Sequence, residues 1–132
     1  VFSRGAHGPT GEYDHIVTQY IYGDEKVITA EGGWIMQESF GFEMSFNVVF
    51  EHATLVYNNN FSPALKIISR DGVVENPHLE SGDAYFREID HFARLVSGEK
   101  VPEIITPEQS LDAVRLIMAE RKSALSGKLV RP

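Results

Sequence analysis

The sequence contains no cysteine. This absence excludes a disulfide scaffold, a thiol nucleophile and a cysteine-ligated zinc site, and it is compatible with a reducing compartment. Long apolar runs are also missing, so no segment is expected to cross a bilayer. Basic residues are few, with 12 Lys and Arg against 19 Asp and Glu and a net charge of −7. Because such a surface repels phosphate backbones, we do not expect it to bind nucleic acid. The lack of cysteine and of long apolar runs leads us to expect a cytoplasmic protein that is not bound to a membrane.

The 132 residues that are present suit a single folded domain. Hydrophobic residues make up 42% of the chain and charged residues 23%, which is ordinary for a globular protein. A chain of this length can bury a core, and we expect one domain over residues 1–132. The chain begins with Val1 and enters strand-like sequence almost at once. We therefore expect it to be a piece of a longer protein.

The first two thirds of the chain read as strands. Alternating apolar and polar residues predict strands over 1–4, 13–22, 26–36, 42–50, 53–57 and 64–69, with a brief continuation at 73–74. Gly23-Asp24 is a turn that makes the second and third strands a hairpin, and Gly32-Gly33 predicts a bulge or a close approach by another backbone. In the fourth strand, Phe42, Met44, Phe46 and Val48 share one face, which we expect to be buried.

The last third of the chain changes to a helical period. A stripe from Tyr85 to Val96 predicts one helix, capped by Ser81 or Asp83 and ended by Gly98. Thr106, Pro107 and Gln109 form a capping box that opens a second helix, and Gly127 ends it. The predicted fold is α+β: an open, largely antiparallel sheet of about six strands, with two C-terminal helices packed on one face.

No motif in the chain makes an active site by itself. The glycines at 5, 8 and 11 precede a strand and not a helix, so they are interpreted as a loop and not a phosphate site. The five histidines lack ligand spacing and are interpreted as solvated, so no metal site is expected. Glu31, Glu38 and Glu43 are interpreted as residues of solvated strand faces. Trp34, beside the paired glycines, is interpreted first as a core residue, and it is kept as a candidate for lining a cleft.

The sequences of several segments, and their order along the chain, resemble those of a known domain. Residues 27–34 (VITAEGGW), 42–50 and the strand ending at Tyr57 are similar to the sheet of the C-terminal domain of the Gfo/Idh/MocA oxidoreductases. Residues 83–92 (DAYFREIDHF) resemble that domain's first helix, and residues 106–110 and 119–128 resemble its closing helix and tail. The resemblance implies the dihydrodipicolinate-reductase-like C-terminal fold for nearly the whole chain.

The resemblance implies that cofactor binding and substrate binding belong to two different domains. In the family, an N-terminal Rossmann domain binds NAD or NADP, and that domain is expected to be absent from this chain. The family's Glu-Lys-Pro and Asp-x-x-x-His motifs have no counterpart here, so no catalytic or cofactor-binding residue is carried over and the fragment alone is expected to be inactive. A tyrosine-bearing stretch of the family's polyol dehydrogenases aligns near Phe40 and Phe42. These two residues and Trp34 are the predicted substrate-facing residues.

The resemblance also implies a partner and a substrate, and two alternative functions stay open. The resemblance implies a homodimer formed through an exposed sheet face, and a hydroxyl-bearing, sugar- or polyol-like substrate in the intact enzyme. One alternative is a freestanding binding or scaffolding module of the same fold, without chemistry. The other is a family member whose Rossmann domain is intact but catalytically dead.

Overall fold

The structure, a computed structural model, describes residues 1–80 and 82–132 of the chain. Seven strands precede two helices, which confirms the predicted α+β class. The elements are β1 (Phe2–His7), β2 (Tyr13–Ile21), β3 (Val27–Gly33), a 3-10 turn at Glu38–Phe40, β4 (Ser45–Val49), β5 (Ala53–Asn58), β6 (Leu65–Ser69), β7 (Val74–Glu75), α1 (Ala84–Val96) and α2 (Pro107–Ser126). They fall into two compact units, which are described separately.

The first unit is made of residues Val1–Gln37 and Pro102–Pro132. Its strands form sheet A, which is antiparallel and has the order β1-β2-β3. The β2–β3 register starts at the pair Ile21 and Val27, so the Gly23-Asp24 turn closes the hairpin as predicted. Helix α2 packs against β1.

Hydroxyl groups join α2 to sheet A. Ser3 and Thr18 lie opposite each other on β1 and β2, with their hydroxyl oxygens 2.8 Å apart, and both residues are buried. The Ser3 amide donates to the Ser123 hydroxyl of α2 (2.9 Å). Nearer the end of β2, the Tyr20 hydroxyl donates to Glu120 Oε1 (2.6 Å). Because these bonds are directional, they fix the orientation of α2 on the sheet as well as stabilising its contact.

Both ends of α2 follow the sequence signals. The Thr106 hydroxyl accepts from the Gln109 amide, and the Gln109 side chain accepts from the Thr106 amide, so the predicted capping box is confirmed. The helix ends at Gly127, which has a φ of 64°. This left-handed conformation is costly for residues with a Cβ, which explains the glycine.

The second unit, Glu38–Val101, holds sheet B and α1. Sheet B is antiparallel with the order β4-β5-β6-β7. Helix α1 is capped by Asp83, whose carboxylate accepts from the Tyr85 amide (2.9 Å), while the alternative cap Ser81 lies outside the described residues. No described residue of this unit is buried. The described residues of this unit therefore form no fully buried core.

The predicted single sheet of about six strands is wrong. The seven strands form two sheets, because β3 ends at Gly33 and the chain then passes through a 3-10 turn and Gly41, which has a φ of 74°. The predicted strand over 42–50 begins only at Ser45 for the same reason. The expectation that both helices cover one sheet face holds for α2 alone. Within the described part of unit 2, α1 has no buried residue and packs extensively on no strand.

Candidate functional site

The face of sheet A that α2 does not cover carries polar side chains in a regular array. Side chains alternate along strands, and residues paired across an antiparallel ladder share a face. Since Thr18 and Tyr20 face α2, their odd-numbered neighbours on β2 face the other way. On β2 and β3 this open face is formed by the pairs His15–Gly33, Val17–Glu31 and Gln19–Thr29, and on β1 it carries Phe2, Arg4 and Ala6. Gln19, Thr29 and Glu31 are exposed on it, so hydrogen-bond donors and acceptors surround the small Val17.

His15 and Glu31 form a pair on this face. Nε2 of His15 lies 3.2 Å from Oε1 of Glu31, and the side chains are 20% and 64% exposed, respectively. The Nδ1 atom of His15 is buried and has no hydrogen-bond partner among the described residues. A buried polar atom without a partner costs about 1–3 kcal/mol, whereas an exposed ion pair contributes about 0–1 kcal/mol. Stability alone therefore does not explain this arrangement.

Gly33 makes the position of His15 possible. The two residues are directly paired across β2 and β3, and a Cβ at Gly33 would lie 2.3 Å from Nδ1 of His15. Nδ1 belongs to a ring and not to the far end of a flexible chain, so any larger residue would displace the imidazole. The second of the paired glycines, predicted as a bulge, is in regular register with His15 and serves as a close-approach position.

Trp34 follows directly and extends the same ladder. Its backbone amide donates to the Asp14 carbonyl (2.7 Å), and its side chain is 86% exposed. The interpretation of Trp34 as a core residue is therefore wrong. Asp14 is buried and also accepts from the Thr10 hydroxyl (2.5 Å) and the Thr10 amide (2.9 Å). These hydrogen bonds, chiefly the one from the hydroxyl, hold the pKa of the Asp14 carboxyl below its ordinary value. The glycine-rich loop is thus organised by a charged side chain beside Trp34.

Phe40 and Phe42 lie in the second unit, between the 3-10 turn and β4, and are 52% and 61% exposed. The β5–β6 turn holds this segment. The Asn59 side chain accepts from the Met44 amide (2.5 Å) and donates to the Phe42 carbonyl (3.3 Å), and Asn60 also donates to that carbonyl (3.4 Å). The backbone around Phe42 is thereby fixed although its ring is exposed.

Sheet B has one face that is mostly apolar, with Glu75 at its β7 edge. Its register places on that face the side chains of Phe46, Val48, Leu55, Tyr57, Leu65 and Ile67. The rings of Phe46 and Tyr57 stack with their centroids 5.1 Å apart, yet Phe46 remains 45% exposed. The pattern predicted the apolar face correctly, but its burial is wrong because no described element of unit 2 covers it. An uncovered apolar face of this kind is typical of an interaction surface.

The predicted site residues are thus divided between the two units. Trp34 belongs to unit 1, whereas Phe40 and Phe42 belong to unit 2, so a pocket shared by all three stays a prediction. Sequence reasoning missed His15 and Glu31, which it assigned to solvated surfaces. The signal was present in the hairpin: counting back from the turn places Glu31 opposite Val17 and one pair away from His15.

Other kinds of site find less support. Within residues 1–80 and 82–132, no group of three or more His, Cys, Asp or Glu side chains could hold a metal ion. No described helix is long and apolar enough to cross a membrane. Two open depressions lie along α2 and include none of the predicted site residues; they are lined by Asp112, Ala113, Arg115, Leu116 and Pro132, and by Met118, Arg121, Lys122, Leu125 and Ser126.

Comparisons of this chain with protein-family models, with curated proteins and with solved structures find no match. The resemblance to the Gfo/Idh/MocA C-terminal domain therefore remains a prediction from the sequence segments.

Proposed function

We propose that this chain is the substrate-binding and oligomerisation domain of an NAD(P)-dependent oxidoreductase of the Gfo/Idh/MocA type. In the intact enzyme, hydride would pass between the nicotinamide ring and a hydroxyl-bearing carbon or its carbonyl. A Rossmann domain outside this chain would bind NAD or NADP and supply the proton-transfer residues. This chain would shape the substrate pocket, and by itself it would be inactive.

The open face of sheet A is the observation that carries the proposal. A sheet that a helix stabilises on one side leaves its other side available to a ligand. Helix α2, whose sequence resembles the closing helix of the family, is bonded to one side of sheet A through Ser123 and Glu120. The other face presents His15, Glu31 and their polar neighbours.

The chemistry of the open face suits a hydroxyl-bearing substrate. A sugar or polyol offers hydroxyl groups that each donate and accept hydrogen bonds. Gln19 and Thr29 can do both, and the Glu31 carboxylate accepts.

The apolar face of sheet B supports the oligomerisation role. We propose that two copies pair through this face to form a homodimer, since a second copy would cover the side chains that unit 2 leaves exposed. The proposed location of the enzyme is the cytoplasm, where NAD and NADP are available and the lack of cysteine is no disadvantage.

The native polypeptide tests the proposal. An antibody raised against these 132 residues, which weigh 14.8 kDa, should detect a protein larger by tens of kilodaltons in source cells. That protein, captured by the antibody, should bind NAD or NADP and reduce it with a polyol or sugar substrate. The isolated chain, assayed beside it as the matched control, should do neither.

Two results would count against the proposal. A native polypeptide of 14.8 kDa would favour the freestanding binding or scaffolding module. A larger protein that binds neither nicotinamide cofactor would reduce the oxidoreductase hypothesis to a likeness of fold. A larger protein that binds the cofactor without turnover would indicate the catalytically dead relative.

A further inference from the structure

We infer that strand β3 is an interaction edge, at which β3 of a second copy of this chain adds to sheet A. Antiparallel pairing of the two strands joins two three-stranded sheets into one continuous sheet. This interface goes beyond the proposed function, because it uses the edge of sheet A and involves neither the apolar face of sheet B nor a substrate.

The hydrogen bonds of the first hairpin determine which backbone groups of β3 point outward. The Trp34 amide donates to the Asp14 carbonyl (2.7 Å), so these two residues form a hydrogen-bonded pair at the end of the β2–β3 ladder. Since such pairs alternate along an antiparallel ladder, the even-numbered residues of β3 bond to β2. The backbone N–H and C=O groups that point away from β2 therefore belong to Val27, Thr29, Glu31 and Gly33.

The opposite edge of sheet A is already occupied within the chain. There the Ser3 amide donates to the Ser123 hydroxyl (2.9 Å), and the Val1 carbonyl accepts from the Val130 amide (2.9 Å). On β3, no hydrogen bond among the described residues reaches the outward groups, and all seven residues of the strand are exposed. An unpaired edge is a template for another strand, and β3 has no proline and only one charged side chain to block it.

Strand β3 is complementary to a second copy of itself in one register. When Ala30 lies opposite Ala30 of the second copy, the outward groups face one another in the pairs Val27–Gly33 and Thr29–Glu31 and in their symmetric counterparts. About eight backbone hydrogen bonds then form, because each pair exchanges two. The Thr29 hydroxyl also lies beside the Glu31 carboxylate of the second copy, to which it can donate.

The neighbouring registers fit less well. A shift of two residues in one direction sets Glu31 opposite Glu31 of the second copy, which brings like charges together. A shift in the other direction sets Gly33 opposite Glu25, which lies outside β3, so a pair is lost at each end. Because the sequence of β3 distinguishes one register from its neighbours, a second copy of this chain is favoured over an unrelated strand.

The pairing also accounts for the glycine at position 32. A Cβ at Gly32 would meet nothing within 4 Å, and its φ is not positive, so packing within the chain does not require a glycine there. Glycine inside a strand is typical of a place that another backbone approaches. In the register with Ala30 at its centre, Ile28 of the second copy lies opposite Gly32. The Ile28 side chain, 41% exposed in the single chain, then covers this bare stretch of backbone.

Thr29→Pro tests the edge without breaking the hairpin. Proline removes an N–H that points away from β2, so the ladder to β2 keeps its hydrogen bonds. In light scattering of the 132-residue chain, this variant should have about half the mass of the unmodified chain at the same concentration, whether or not the sheet B interface also forms.

Asn47→Pro is the matched control on the edge of sheet B. The Phe50 amide donates to the Ala53 carbonyl (2.8 Å), so the amide of Asn47 points away from β5 in the same way. Its side chain lies on the face opposite to Phe46 and Val48. The mass of this variant should equal that of the unmodified chain.

Charge variants at the same position keep the test decisive if Thr29→Pro does not fold. Thr29→Glu sets a second carboxylate opposite Glu31 across the interface and should raise the dissociation constant about tenfold in a dilution series. Thr29→Lys sets an ammonium group opposite Glu31 and should not raise it. Circular dichroism spectra recorded in parallel report any loss of folded protein.

Amide hydrogen exchange identifies the edge residue by residue. The amides of Thr29 and Glu31 should exchange about tenfold more slowly at high chain concentration than at low concentration. The Ala30 amide bonds to β2 in both states, so its exchange should not change.

Three results would overturn the inference. One is a folded Thr29→Pro variant with the mass of the unmodified chain, or a Thr29→Glu variant that dissociates like it. Another is fast exchange of the Thr29 and Glu31 amides at every concentration. The third is slow exchange of both amides at every concentration, because it would show that a segment of the chain itself covers the edge.

Discussion

Replacing Ser123 with alanine should destabilise the first unit more than its small change in volume suggests. The Ser123 hydroxyl accepts from the Ser3 amide (2.9 Å) and donates to the Lys128 carbonyl (2.6 Å). Ser3 and Ser123 are both 0% exposed, so water cannot replace the hydroxyl at the Ser3 amide. The Lys128 carbonyl belongs to an exposed residue and can turn to solvent.

The expected loss follows from the amide that is left without a partner. A buried donor deprived of its acceptor costs about 1–3 kcal/mol. Alanine favours the helix over serine by up to about 0.5 kcal/mol, which offsets a small part of that cost. We therefore expect Ser123→Ala to lower the free energy of unfolding by about 2 kcal/mol.

Urea unfolding followed by far-ultraviolet circular dichroism measures this change, with Ser110→Ala as the control. Ser110 lies on the same helix, and its exposed hydroxyl donates only to the Thr106 carbonyl (3.2 Å). The control carries the same gain in helix propensity without the buried bond. A difference between the two variants below about 0.5 kcal/mol would refute the reasoning, because it would show that the Ser3 amide finds another partner.

Two other predictions concern the dimer and the pH dependence of stability. In the Thr29→Pro chain, whose β3 edge is blocked, Val48→Lys should convert the proposed dimer to a monomer in light scattering, whereas Val49→Lys, its neighbour on the opposite face of β4, should not; a dimer that survives Val48→Lys would contradict the proposed interface. Burial and the bond to Glu120 raise the pKa of Tyr20 to about 12 from its ordinary 10. The contribution of Tyr20 to the free energy of unfolding is therefore complete below pH 10 and is lost as the pH rises to 12. Tyr20→Phe should remove that part of the alkaline decline in urea stability, at most about 3 kcal/mol and less because the phenol is partly exposed, and an unchanged decline would show that Tyr20 is not its source.

Local signals in the sequence predicted the elements well. Thr106 and Gln109 located the start of α2, Asp83 the start of α1, and the Gly23-Asp24 turn the first hairpin. These signals depend on residues a few positions apart, whose interactions form without the rest of the chain. These local signals could not predict the division into two sheets, because strand pairing depends on contacts between residues that are distant in sequence.

The candidate site shows the same limit. Trp34 could be singled out by its position beside two glycines, but the favoured core role was wrong, because its side chain is exposed. His15 looked unremarkable because its partners, Glu31 and Gly33, are separated from it by a turn and a strand. The register of the hairpin brings His15 into contact with Glu31 and Gly33, and local patterns do not reveal that register.

The hydrogen bond from the Ser3 amide to the Ser123 hydroxyl also bears on the order in which the two units can form during synthesis. The bonded residues are 120 positions apart, and the bond between the Val1 amine and the Val130 carbonyl spans 129. Residues 107–126 must therefore leave the ribosome before α2 can pack against sheet A, whereas the ladders of sheet B involve only residues 45–75. Until then β1 presents an open edge and unsatisfied polar groups, which is the stage at which a nascent chain of this kind is most open to wrong pairing or to capture by a chaperone.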